Sequence, residues 1–441
     1  MAQIVPFKGI VYNKEKIKET AQVVSPPYDV ISEEKRQVLY DRHEKNVVRL
    51  DFGKPEQGDS EQNNSHTRAA RFFKSWQEEN VLVRDETPAL YLTSVTFPVE
   101  GKDVTRYGLI CQVGLEPFDK GIILPHEQTF SKVKSERLGL LKNCKANFSQ
   151  IFSIYSDRSG ILDALKAAVA GKTPDMDLVD DVNERHQLWK ITDEQVIGFV
   201  VEQMADKKLY IADGHHRYET ALAYRAFLAE TDSLFSADHP ANKIMMYLSS
   251  MEDPGLVILP THRVLNQVNP AALGALIEKS APFFHIETIP FGSDEKAAFE
   301  IFKDKLKASV TTISIGVVLK NTKAYHLFSL KSGVMDEKFG DTIPSSLKAL
   351  DVTVLTRLLF IELLGFSPDA MDQEKLITYS ESDRHAADAV ISGACDAAFI
   401  LNSTRIEQVR EIAESGQTMP RKTTYFYPKA LTGLVFNTVA P

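Results

Sequence analysis

Leu209-Tyr210-Ile211-Ala212-Asp213-Gly214-His215-His216-Arg217-Tyr218-Glu219-Thr220-Ala221-Leu222 reads, without a break, as a strand, a turn and the start of a helix. Leu209 to Ala212 are apolar enough for a buried strand, and Asp213-Gly214 is a turn signal. Ala221, Tyr224 and Leu228 then recur at helical spacing, so a helix is expected from about His215. The polar run Asp-Gly-His-His-Arg therefore falls at a strand-to-helix turn. Backbone N–H groups and the positive end of the helix dipole face outward at such a turn and favour an anion. Arg217 adds a two-pronged donor for phosphate or carboxylate. Asp213 at the strand end is a candidate metal ligand or proton acceptor; as a plain helix N-cap it would need no chemistry.

Working outward, a second polar cluster, Pro125-His126-Glu127, follows the apolar pair Ile122-Ile123. Strand-end loops of an α/β sheet gather on one side, so the two clusters are expected to meet. Ser25-Pro26-Pro27-Tyr28-Asp29 is a rigid, non-helical loop, because each proline fixes its own φ and restrains the residue before it. Ser32 is placed as an N-cap, Asn46–Phe52 as a strand and 67–79 as a helix. A hairpin is expected from Ala89–Phe97 and Thr105–Val113, with its turn at Glu100-Gly101-Lys102. The pattern predicts a helix over Asp193–Met204 capped by Thr192, and another over Val352–Leu364. His262 and Asp29 are further site candidates. The tail from Met419 to Lys429, basic and aromatic, reads equally as a terminal strand or as part of a site.

The chain has 441 residues, more than one core ordinarily holds. The expected divisions are an N-terminal α/β region (1–104), a core carrying both clusters (105–265), an α/β subdomain (266–345) and a C-terminal region (346–441). The fold class is mixed α/β (α+β). No apolar run approaches the roughly 20 residues of a membrane span. The N-terminus has no signal-peptide pattern, and the three cysteines are far apart in sequence; both suit a cytoplasmic protein without membrane partners. The formal net charge is -9 with no basic block, which disfavours nucleic acid as a partner. No phosphate-binding loop, dinucleotide fingerprint, nucleophile elbow or Cys-x-x-Cys pair is present.

At Pro125-His126-Glu127 and Asp213-Gly214-His215-His216-Arg217 the chain resembles the ParB/sulfiredoxin superfamily, and within it the ParB-like free serine kinases. Over nearly its full length it also resembles a large bacterial family of unknown function. The first resemblance implies a ParB-like core with added N- and C-terminal α/β regions, and a phosphotransferase that moves phosphate between ATP or ADP and the hydroxyl of free serine, in either direction. It implies Glu127 as catalytic base, with His126 beside it, and Asp213 as catalytic residue and Mg²⁺ ligand. Gly214, His215, His216 and Arg217 would hold the nucleotide phosphates. The implied partners are a nucleotide and a small hydroxyl substrate, serine or phosphoserine. Two other readings stand beside it. One is a ParB-like nucleotide-binding switch that engages partners. The other is a metal-dependent phosphomonoester hydrolase built on Asp213, His216 and His126.

Overall fold

The computed structural model describes residues 2–127, 129, 131–309, 312–367, 371 and 375–440. Gln128, in the loop after Glu127, lies outside them. The chain forms two compact units: residues 1–257 with 426–441, and residues 258–425.

The first unit is built on a nine-stranded mixed sheet of β1 (Ile4–Val5), β2 (Leu90–Val99), β3 (Lys102–Gly114), β4 (Ile123–Leu124), β5 (Ile151–Tyr155), β6 (Met176–Val179), β7 (Arg185–Ile191), β8 (Leu209–Asp213) and β9 (Lys243–Ser250). The order is β4-β8-β5-β9-β3-β2-β7-β6, with β1 added to β3. The expected hairpin forms β2 and β3. Glu100 and Gly101 at its tip both have positive φ, which matches the twist of the strands they join.

Helices cover both faces. They are α1 (Ser65–Glu78), α2 (Ser131–Cys144), α3 (Ile161–Val169), α4 (Glu194–Met204) and α5 (His215–Thr231). One core cluster joins Leu90, Leu109, Ile151 and Met246 of the sheet to Leu165 of α3 and Val200 of α4. Another gathers Phe73 and Trp76 of α1 with Leu140 of α2, Phe148 and Phe436.

Three local expectations are corrected. Asn46–Phe52 is not a strand: Val48–Asp51 form a short helix, with Val47, Val48 and Leu50 all buried. A run this short carries too little period to separate the two. Asp193, not Thr192, caps α4, accepting from the backbone N of Gln195 and Val196 at 2.9 and 3.1 Å. The helix expected from Val352 is regular only over Asp351–Val354 and continues as π-helical turns through Leu355–Leu363. Ser32 caps its helix as expected.

The second unit holds a six-stranded sheet of β10 (His262–Leu265), β11 (Phe284–Pro290), β12 (Ser314–Leu319), β13 (Ala324–Leu330), β14 (Ile377–Ser380) and β15 (Ala397–Ile400), in the order β11-β13-β12-β15-β10-β14. Phe302 and Leu306 of α6 (Glu295–Ala308) and Val390 of α7 (Asp383–Ile391) pack on it. A further helix, α8, spans Ile406–Glu414. Among the described residues no helix is long and apolar enough to cross a membrane.

Candidate functional site

The site grows from β8. Its neighbour β4 runs parallel to it, Leu209 opposite Ile123 and Tyr210 opposite Leu124. The two strands therefore end on the same side, which brings Pro125-His126-Glu127 beside the Asp213 turn. On its other flank β8 pairs antiparallel with β5. The register slips there: Ile211 faces Ser153 and Asp213 faces Phe152. Such a bulge re-aims the side chains at a strand end. Gly214 follows at φ +95°, where a side chain would be strained, and α5 begins at His215. A Cβ on Gly214 would also stand 2.9 Å from Arg217 Nε, so the glycine lets the guanidinium fold back over the turn.

Gly214 itself is the N-cap, and no side chain caps α5. Asp213 faces cations instead. One of its oxygens lies 2.5 Å from Lys429 Nζ, and the other takes the Arg217 guanidinium. Burial alone would raise this carboxyl, but the charges of Lys429 and Arg217 outweigh it and hold it well below the usual carboxylate range. A second Arg217 amine donates to the Gln150 carbonyl at 2.6 Å. Its Nε is buried and has no partner among the described residues. Within this triad one carboxylate faces two cations, and the Asp29 and Asp51 charges act on Arg217 as well.

The histidines are arranged differently. His126 N–H donates to His215 Nε2 at 3.2 Å, and the rings meet edge to face at 4.8 Å. Accepting at Nε2 places the His215 proton on Nδ1, which lies 3.8 Å from a Glu127 carboxylate oxygen. Burial pushes His126 down to about 4 and lowers His215 well below the usual imidazole range, so both are neutral near pH 7. Burial also lowers His216. Glu127 keeps about a third of its side chain exposed.

Lys429, Arg137 and Tyr28 belong to this cluster, and of these only Lys429, in the tail, carried a possible site role in the sequence. Arg137 of α2 pairs with the buried Asp51 at 3.1 Å and lies 3.9 Å over the Tyr28 ring. Arg217 lies 6.0 Å from the same ring. Asp51, Arg137, Ser149, Arg217 and Thr220 also line a small cavity of 50 Å³. The Ser25–Asp29 loop thus reaches the site, and the Asp29 charge acts on both Arg217 and His216. Arg106, fully buried, holds the tail. It donates to the carbonyls of Tyr427 and Pro428 at 2.8 and 2.7 Å, setting the backbone just before Lys429. The sequence signals near these residues were the basic and aromatic run ending at Lys429 and the double-proline loop that holds Tyr28; Arg106 carried none. His262 lies in the second unit, where its Nδ1 accepts from Leu401 N–H at 3.2 Å.

The chain belongs to the family described as "Protein of unknown function (DUF1015)", which matches residues 4–353. Among solved structures it is similar to a conserved hypothetical protein from Pyrococcus furiosus, at 13% identity over 73% of this chain and 93% of that one, with a TM-score of 0.31. It is similar to a free serine kinase in complex with AMP, at 13% identity over 72% and 86% of the two chains and a TM-score of 0.31. SbnI with a C-terminal truncation, from Staphylococcus aureus, gives 11% identity over 72% and 84% and a TM-score of 0.34. No curated protein matches.

Proposed function

We propose that this member of the DUF1015 family is a nucleotide-dependent phosphotransferase that exchanges phosphate between ATP or ADP and the hydroxyl of free serine. The observation that carries the reading is the buried Arg217–Asp213–Lys429 cluster at the start of an uncapped helix. Its two cationic side chains and the unpaired Arg217 Nε suit an anion such as a phosphate chain. The resemblance of the two motifs to ParB-like kinases supports the same assignment.

Phosphoryl transfer asks mainly for alignment and charge stabilisation. Glu127, whose carboxylate lies 3.8 Å from His215 Nδ1, takes the proton of the acceptor hydroxyl. The hydroxyl oxygen then bonds to phosphorus as the bond to the nucleotide's bridging oxygen breaks. The charge left on the nucleotide falls to Arg217 and Lys429. The reverse direction, from phosphoserine to nucleotide, uses the same groups. Asp213 does not fit as a magnesium ligand, because both its oxygens are engaged by cationic side chains. In this reading it anchors those cations.

Phosphorus NMR with serine or phosphoserine, and ATP, ADP or AMP in turn, tests the proposal. A phosphate resonance moving between nucleotide and serine is the expected result. Phosphate release from phosphoserine without nucleotide would instead identify a hydrolase. Slow nucleotide hydrolysis with no acceptor would identify a switch.

A further inference from the structure

The second unit contains a cavity of 480 Å³ that the proposed phosphotransfer does not use. Arg263, Lys307, Asp351 and Arg405 line it, together with Thr261 and Asn402. Arg263, on β10, is buried. Its guanidinium donates to the Thr261 carbonyl and to those of Arg421 and Lys422 at 3.1 and 2.9 Å. The Tyr379 ring lies 5.4 Å from its guanidinium, and among the described residues no carboxylate pairs with it. Burial lowers Arg263 to about 10, which still leaves it protonated at neutral pH. A buried charge with no countercharge is costly, and an anion in the cavity would supply one.

A second observation points the same way. Thr261 is only 3% exposed, and its hydroxyl has no hydrogen-bond partner among the described residues. A buried polar atom left unpaired beside a cavity is what a ligand hydroxyl or phosphate oxygen would satisfy. Arg405 adds a third cation at the N-cap of α8, its N–H held by Gln408 Oε1 at 3.0 Å. Among the described residues Asp351 is the one acid lining the cavity; burial raises it to about 7, against the Asn402 N–H and the Arg405 charge, which lower it.

The size and lining narrow the class. The volume falls within the roughly 300–1,000 Å³ of small-molecule sites and far exceeds a lone phosphate. Six hydroxyl and two amide side chains stand in the wall, and among the described residues no aromatic ring lines it to stack a nucleobase. We propose that this cavity binds a phosphorylated, hydroxyl-rich small molecule of the sugar phosphate class, its phosphate against Arg263 and Arg405 and a hydroxyl against Thr261. This site is independent of the one at Asp213.

Calorimetric titration of the full chain with glucose 6-phosphate, inorganic phosphate and AMP tests it. Glucose 6-phosphate should bind more tightly than inorganic phosphate. Arg405→Gln should weaken it at least tenfold, while Lys429→Gln in the first unit should leave it unchanged. Thr261→Val should lower affinity for glucose 6-phosphate without lowering the melting temperature of the free protein, since it removes an unpaired hydroxyl at constant shape. No binding of glucose 6-phosphate, or binding indifferent to both Arg405→Gln and Thr261→Val, would overturn the proposal. AMP binding abolished by Arg405→Gln would overturn the sugar phosphate class.

Discussion

Lys429 seats its ammonium 2.5 Å from a carboxylate oxygen of Asp213, a residue 216 positions earlier in the chain. The contact makes the aspartate one vertex of a buried charge cluster, where the local sequence allowed a simple helix cap. The two roles predict different stabilities. Asn caps a helix nearly as well as Asp, so a cap would lose about 1 kcal/mol at most on Asp213→Asn. A buried anion that compensates two cations should cost about 3–5 kcal/mol when removed. Urea unfolding of the variant, followed by far-UV circular dichroism, separates them.

Glu127→Gln keeps the shape of the side chain and removes its basicity. Under the phosphotransferase reading, kcat should fall by ~10²–10⁴, the usual weight of a general base. Nucleotide Kd should hold, because the phosphate groups are assigned to Arg217 and Lys429. Wild-type kcat in the variant would remove Glu127 from the reaction.

Arg217→Lys retains charge but loses the planar fork that reaches Asp213 and the Gln150 carbonyl at once and leaves Nε open to a ligand. Nucleotide affinity should weaken by ~1–3 kcal/mol, the scale of a charged hydrogen bond. Calorimetry giving an unchanged Kd would take Arg217 out of the phosphate site.

The neutral histidines predict an acid-side loss of stability. His126 is held near 4 in the folded protein, against about 6.5 in an unfolded chain. Between those values the unfolded state binds the extra proton, so stability falls as pH drops from about 6.5 towards 4. Each such histidine contributes a slope of up to about 1.4 kcal/mol per pH unit. His215 titrates in the same direction. His126→Asn should flatten the profile of unfolding free energy against pH by about one such slope. An unchanged profile would show that the imidazole is charged in the fold.

The chain carries a net charge of -9, so no tight duplex DNA binding is expected at physiological salt. Sub-micromolar, salt-sensitive retardation in a gel-shift assay would contradict this.

The turn at residues 213–217 was legible because its signals are local. Four apolar residues, an Asp-Gly pair and a period of 3.6 sit within twenty positions, and the structure places β8 and α5 there. The meeting of His126 with His215 was inferable only through the habit of α/β sheets, and the parallel pairing of β4 with β8 realises it. Val47–Leu50 misled because a few apolar residues fit either period until their packing partners are known. Lys429, Arg106 and Tyr28 were not legible as a group. What unites them is closure of the chain over hundreds of residues, and no local pattern records that.

The split of the first unit, 1–257 completed by 426–441, has a consequence for biosynthesis. Lys429 leaves the ribosome after every residue of the second unit. At roughly 5–20 residues per second, the chain between Asp213 and Lys429 takes on the order of 10–40 s to make. Through that interval Asp213 and Arg217 exist without the second cation of the cluster. The cluster is therefore assembled last, and a nascent chain stalled before Lys429 would carry the turn without its third member.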